Sequence, residues 1–167
     1  TFVERTSEGV WDSTPTDLPS GADLQTLTKK GNAFYVSTAE GDIYTTANGK
    51  NWQKLSAPQH PGMVLAGATP DYLYALMDGE LYRCSEDGQG EWSFLPENLE
   101  ERSAYLPSKD VRMLLMKQAN GSQRLVLVGN RSDENDKTSV VWTKMWNGDV
   151  SESDAVWMFV NQTEDNL

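Results

Sequence analysis

Few residues in this chain have the chemistry of a catalytic or metal site, and they lie far apart in sequence. The single histidine, His60, lies in the segment 59–62, and the single cysteine, Cys84, ends an apolar run. No second histidine is present to share a metal with His60, so we interpret it as an exposed turn residue. Cys84 has no histidine near it in sequence to activate it, and we expect a half-buried, inert thiol. The sequence therefore predicts no catalytic residues, no metal site and no cofactor.

Acidic stretches and two aromatic residues are the remaining candidates for binding. The stretches 133–136 and 149–154 could hold Ca²⁺, but neither has the glycine and distal glutamate of a calcium loop, so we interpret both as solvated loops. Trp146 precedes Asn147-Gly148 and, together with Tyr105, could stack on a sugar ring or a peptide. The alternative is that Trp146 packs beneath the loop that follows it. Trp146 and Tyr105 are the predicted ligand-binding residues.

The net charge of the chain argues against polyanionic partners. Its 167 residues include 14 Lys and Arg against 25 Asp and Glu, which gives a formal net charge of −11. Binding to phosphates requires a basic face that releases counterions, so we expect neither a nucleic acid nor an anionic membrane as partner. No apolar run approaches the roughly 18 residues of a membrane span. The length suits a single domain.

Turn and strand signals run along the whole chain and predict an all-β fold. Asn-Gly and Asp-Gly pairs, which favour tight hairpin turns, occur at 48–49, 78–79, 87–88, 120–121 and 147–148. Between them lie short runs of β-branched, aromatic and aliphatic residues at 33–36, 72–76, 111–116, 125–128 and 140–142. The only helical signal is a turn or two at 96–105.

An internal repeat identifies the architecture. Trp11, Trp52 and Trp92 are 41 and 40 residues apart, and the second and third follow matching Gly-acidic-aliphatic-Tyr segments, 41–44 and 79–82. Four short strands in about 40 residues make one blade of a β-propeller. We interpret the repeated tryptophans as structural residues that fill the gap between adjacent blades.

The repeat divides the chain into one partial β-propeller domain, 1–167, of about three four-stranded blades plus part of another. The predicted units are approximately 1–15, 16–58, 59–97 and 98–162. Because the first unit holds only the outer part of a blade, we expect either a fragment of a larger propeller or closure with a second copy. Open sheet edges would then favour self-association.

The turns that precede the repeated tryptophans resemble Asp-boxes, the Ser-x-Asp-x-Gly-x-Thr-Trp hairpins of sialidases and related propellers. The residues that carry the resemblance are Thr45, Gly49 and Trp52 in one turn and Ser85, Asp87 and Trp92 in the next. Ala47 replaces the Asp of the first box, and the Gly of the second is displaced. The last unit, ending Trp157-Met158-Phe159-Val160, is more kelch-like. The whole is similar to exported propeller proteins of Bacteroides-type bacteria.

This resemblance implies a structural role for the box residues and export of the protein to the periplasm, the cell surface or the medium. Sialidase chemistry would need three arginines that grip a carboxylate and a Tyr nucleophile helped by a Glu. The chain has six arginines, but none lies in the opening segment typical of that family. We therefore expect a non-enzymatic binding or scaffold module for a glycan or protein. The alternative is part of a glycoside-acting enzyme whose catalytic residues lie outside this chain.

Overall fold

The computed structural model of the chain shows antiparallel β-structure and no helix among the residues it describes. Those residues are 1–55, 60, 62–78, 80–85, 87–95, 109–130, 139–147 and 149–163. The helical turn predicted at 96–105 lies outside them. No helix long and apolar enough for a membrane span occurs in these ranges.

Within the described ranges, fourteen strands form four sheets. The strands are β1 (Phe2–Arg5), β2 (Trp11–Thr14), β3 (Leu24–Lys30), β4 (Ala33–Thr38), β5 (Ile43–Thr46), β6 (Gln53–Lys54), β7 (Val64–Ala68), β8 (Leu73–Met77), β9 (Glu80–Cys84), β10 (Ser93–Leu95), β11 (Lys109–Lys117), β12 (Gln123–Asn130), β13 (Ser139–Trp146) and β14 (Met158–Thr163). Strands β1 and β2 pair alone, and the others form four-stranded sheets in the orders β3-β4-β5-β6, β7-β8-β9-β10 and β11-β12-β13-β14. The predicted all-β fold of about three four-stranded blades plus part of another is confirmed. The boundaries between the units stay predictions.

Local sequence explains why consecutive strands pair. Gly49, Gly88 and Gly121 lie in hairpin connections at φ values of 75°, 83° and 84°, where a side chain is strained. Asp78 and Asp87 adopt φ values of 51° and 50°, which aspartate tolerates better than most residues. The predicted strand runs lie within β4, β8, β11, β12 and β13, apart from Tyr72 at the start of one run.

The three larger sheets stack face to face around two apolar clusters. The first interface, between β3–β6 and β7–β10, buries Tyr35, Ile43, Leu55, Met63, Leu65, Leu73, Ala75 and Met77. The second interface, between β7–β10 and β11–β14, buries twelve residues, among them Tyr74, Leu125, Trp142, Trp146 and Trp157. Each fully buried aliphatic side chain contributes about 1.5–3 kcal/mol. The strands β3, β7 and β11 contact one another in turn, so they form the inner ends of the three sheets.

Candidate functional site

The hairpin that leads to Trp52 is held by side-chain hydrogen bonds to its own backbone. The Thr46 hydroxyl accepts the N–H groups of Asn48, at 3.2 Å, and Gly49, at 3.1 Å. Asn48 Oδ1 in turn accepts the backbone N–H groups of Lys50 and Asn51, both at 2.9 Å. The Trp52 indole donates to the Gly49 carbonyl at 3.0 Å. The hydroxyl that closes this turn is therefore that of Thr46, one residue after the predicted Thr45.

The turn that leads to Trp92 joins two blades. Asp87 is exposed, and its carboxylate accepts a hydrogen bond from Lys30 at the end of β3. Gly88 is buried, and a Cβ there would lie 2.9 Å from the Leu55 side chain. Trp92 packs against the first interface, whereas Ser85 is exposed. This turn therefore fastens the sheet β7–β10 to the sheet before it.

The three repeated tryptophans occupy three different environments. Trp92 lies against the first interface, Trp52 is half-buried over its own hairpin, and Trp11 on β2 is 68% exposed. The equal spacing thus reflects equal positions in the blades but unequal cover by neighbouring sheets.

Of the two predicted ligand-binding residues, one is described. Trp146 is 6% exposed and belongs to the apolar cluster of the second interface. Its ring is not open to a ligand in this structure. Tyr105 lies outside the described residues, and its role stays a prediction.

The acidic stretch 149–154 is only partly a solvated loop. Asp149 and Asp154 are exposed, but Glu152 is 2% exposed and points into the second interface. The prediction was wrong at this one position, because Glu152 has buried partners. Among the described residues, no three His, Cys, Asp or Glu side chains gather as a metal site, and Cys84 is 1% exposed rather than half-buried.

The partners of Glu152 form a buried polar cluster around Lys144, which is 1% exposed. Lys144 Nζ donates to the backbone carbonyl of Glu152 at 2.9 Å and lies 3.9 Å from its Oε1. The Tyr74 hydroxyl, from the neighbouring sheet, donates to the same Oε1. Nζ also lies 5.2 Å from the ring centroid of Trp157 and 5.8 Å from that of Trp146, within cation–π range. Lys144 and Glu152 thus fasten the loop after β13 to two sheets.

The same burial shifts two pKa values in the cluster. Desolvation lowers the pKa of Lys144 to about 8, against the opposing attraction of the Glu152 carboxylate. Arg83 lies near enough to lower the pKa of Lys144 further. Burial raises the pKa of Tyr74 well above its usual value, and the adjacent Glu152 carboxylate raises it again.

We expect these shifts to make stability depend on pH. Between pH 8 and pH 10, Lys144 in the folded state has released its proton while the unfolded chain still binds one, so the free energy of unfolding rises with pH by about 2 kcal/mol. Above pH 10 the rise stops, because Tyr74 stays protonated only when folded. Urea unfolding at a series of pH values measures this. The Lys144→Met variant is the control, and an unchanged pH profile in that variant would contradict the assignment.

A groove with a volume of about 250 Å³ lies across the inner strands β3, β7 and β11. It is lined by residues of all three larger sheets and their connections, including Gln25, Thr26, Val64, Asp78, Asp110 and Arg112. Gln25, Asp78, Asp110 and Arg112 are exposed. The groove therefore offers two carboxylates, one guanidinium and one amide to a ligand.

Local backbone conformation sets the direction of the charged side chains that line the groove. Asp78 occupies the turn after β8, and its carboxylate lies 3.6 Å from Nε2 of His60. Asp110 has a φ of 54° beside a register shift between Lys109 and Arg112, and such bulges redirect side chains. Asn130 donates to the Asp110 carboxylate at 3.3 Å. Left-handed backbone at residues other than glycine is often found at functional sites.

Sequence reasoning missed both the groove and the buried cluster. Lys144 had a signal in the sequence, because it is a charged residue placed between Trp142 and Trp146 on the inward face of β13. The groove had no signal in the sequence, because its residues come from three sheets and their arrangement depends on the bulge in β11.

The comparisons with known proteins agree with this architecture. The family model described as the DUF6242 beta propeller domain matches residues 1–167, the whole chain. The chain belongs to this family. Membership in the DUF6242 beta propeller family accounts for the stacked four-stranded sheets. No curated protein matches the sequence.

Solved structures with a similar arrangement have very different sequences from this DUF6242 domain. YCF48 from Cyanidioschyzon merolae is 12% identical, with a TM-score of 0.42 over 92% of this chain and 62% of its own. A thermostable family-43 glycoside hydrolase is 10% identical, with a TM-score of 0.46 over 90% of this chain and 57% of its own. The chain thus spans less than two-thirds of each of these two structures, and identities this low say nothing about function.

Proposed function

We propose that this propeller domain is a non-enzymatic binding module, and that the groove across its inner strands holds a polar part of a glycan or protein ligand. The observation that carries the proposal is the convergence of Arg112, Asp110 and Asp78 on one groove from two sheets. A guanidinium and carboxylates together can bind hydroxyl, amide or carboxylate groups by charge-assisted hydrogen bonds.

The size of the groove supports a small part of a larger ligand. Pockets for drug-sized ligands have volumes of roughly 300–1,000 Å³. The groove, at about 250 Å³, falls just below that range and suits one sugar residue or a short polar side chain. The remainder of a glycan or protein would then extend over the exposed ends of the inner strands.

As part of the same proposal, the blades are Asp-box-like and kelch-like, and the protein is bacterial and exported. The hydrogen bonds of Thr46 and Asn48 within their hairpin support the first part. Export is tested by fractionating the source cells and detecting the protein by immunoblot. Its recovery in the cytosolic fraction alone would contradict export.

The test of binding uses the purified chain on glycan and peptide arrays, followed by calorimetry on the best ligand found. We expect the Arg112→Ala variant to bind at least about tenfold more weakly, because a hydrogen bond from a charged group contributes about 1.5–3 kcal/mol. Lys117→Ala is the matched control, since it removes a cation from the other end of the same strand.

Two results would count against the proposal. Equal affinity of the wild-type chain and the Arg112→Ala variant would remove the groove from the binding site. Hydrolysis of an array glycan would favour the alternative, a glycoside-acting propeller.

A further inference from the structure

The inner strand of each larger sheet has a β-bulge near its start, and all three bulges line the groove. The extra residue is Gln25 in β3 and Ala66 in β7, whereas in β11 Asp110 and Val111 stand opposite a single residue of β12. All four residues line the groove. Bulges redirect side chains and are frequent beside functional sites. The groove is therefore built from a feature that recurs in three consecutive blades, not from one irregular strand.

The middle bulge leaves the space of the groove open. Strand β7 contacts β3 on one side and β11 on the other, and its extra residue is Ala66, whose side chain is a single methyl group. The flanking bulges carry the longer, exposed side chains of Gln25 and Asp110. A ligand in the groove thus lies over β7 and meets polar groups from the two sheets beside it.

The groove has an apolar floor and a polar rim. The lining residues that are buried are apolar, and they form the floor: Leu65, Ala66, Leu76 and Val111. The lining residues with exposed polar side chains form the rim: Gln25, Asp78, Asp110 and Arg112. Small-molecule sites commonly combine an apolar lining with a few polar groups that fix the orientation of the ligand.

Two of the rim side chains are held in place by neighbours. The Asn130 amide donates to Oδ2 of Asp110 at 3.3 Å and accepts a hydrogen bond from the Ser139 hydroxyl at 2.9 Å. Oδ1 of Asp110 is left to accept from a ligand. Arg112 Nη1 donates to the carbonyl of Val111 at 2.8 Å, which holds the guanidinium beside the bulge. Groups positioned before the ligand arrives lower the entropic cost of binding.

The hydrogen-bonding capacities of the rim favour a ligand with hydroxyl groups. The carboxylates of Asp78 and Asp110 only accept, the Arg112 guanidinium only donates, and the Gln25 amide does both. An anionic ligand would satisfy Arg112 but face two carboxylates, and a cationic ligand would face the guanidinium. A hydroxyl donates and accepts, so a ligand with several hydroxyls can bond every group of the rim.

We propose, on the basis of the binding function proposed above, that the groove holds one neutral sugar residue of a glycan. The ligand class is a hexose with unmodified hydroxyls. Its C–H groups lie on the apolar floor, where they make dispersion contacts, and its hydroxyls bond the rim. The groove therefore selects against acidic sugars and against charged side chains of a protein.

The test is an NMR titration of the isotope-labelled chain that follows the backbone amide signals of Gln25, Ala66 and Asp110. The probes are the methyl glycosides of glucose, galactose and mannose, each beside the methyl glycoside of its uronic acid, and blocked lysine and glutamine. We expect at least one neutral glycoside to shift these signals. Its uronic acid should bind at least about tenfold more weakly, because the added carboxylate meets two others in one groove.

The Asp110→Asn variant tests the origin of this selectivity. Asparagine adopts left-handed backbone as readily as aspartate, so the bulge with its φ of 54° is kept. We expect the ratio of affinities, neutral over acidic, to fall by about threefold or more, since one of the two repelling charges is gone. Asp149→Asn is the matched control, because it removes the same charge from an exposed loop residue that does not line the groove.

The other outcomes separate this inference from the binding function itself. A uronic acid that binds as tightly as its neutral hexose, or a ratio that Asp110→Asn leaves unchanged, overturns the neutral sugar but keeps the groove as a binding site. Shifts at the bulges with blocked lysine or glutamine alone do the same and indicate a protein ligand. Signals at the three bulges that no probe shifts overturn the sugar and the proposed binding function together.

Discussion

Replacing Lys144 with methionine lowers the free energy of unfolding by about 3–5 kcal/mol, the usual cost of removing one partner of a buried ion pair. The Glu152 carboxylate is 2% exposed and would remain buried without its cation. The backbone carbonyl of Glu152 would also lose the hydrogen bond that Lys144 donates at 2.9 Å. Methionine preserves most of the side-chain volume, so below pH 8, where Lys144 is charged, the loss measures the lost hydrogen bond and the unpaired Glu152 carboxylate rather than a cavity.

Equilibrium urea unfolding measures this loss, and two further variants interpret it. Lys117→Met changes an exposed lysine on β11 of the same sheet and should shift stability by less than about 0.5 kcal/mol. The double variant Lys144→Met/Glu152→Gln should lose clearly less than the sum of the single changes, because it leaves no unpaired buried charge. Strict additivity would show that the two side chains do not interact.

Replacing Gly67 with valine destabilises the fold by about 3 kcal/mol, because the inner strands leave no space for a side chain there. A Cβ at this position would lie 2.6 Å from Cβ of Met113 on β11. Since that Cβ is attached directly to the backbone, the two sheets must separate to admit it. Gly67→Ala, which adds only the Cβ, should have a smaller effect in the same direction.

A rescue variant distinguishes this clash from a general intolerance of β7. Met113→Gly removes the atom that the new Cβ would meet, so Gly67→Ala/Met113→Gly should be more stable than the sum of the two single effects predicts. Thermal and urea unfolding of the four chains measures the coupling. A stability of Gly67→Ala equal to that of the wild-type chain would show that the strands adjust freely.

Most of the strand architecture could be predicted because it depends on local chemistry. Gly49, Gly88 and Gly121 favour hairpin turns wherever they occur, and the apolar runs between such turns favour strands. The spacing of Trp11, Trp52 and Trp92 then converts local strands into a count of blades, since each repeat is one four-stranded unit.

The environment of each side chain could not be predicted in the same way. The hairpin before Trp52 is closed by Thr46 rather than Thr45, because the register of the strands sets which hydroxyl faces the turn. Trp92 is covered by a neighbouring sheet and Trp11 is not, although both occupy the same position in the repeat.

The sequence by itself thus determined the all-β class and the propeller repeat. Only the tertiary structure decided that Lys144 and Glu152 are buried together, and that Asp78, Asp110 and Arg112 share a groove. The physical reason is the range of the interactions. Turns and strands depend on residues a few positions apart, whereas burial and convergence depend on how separate sheets stack.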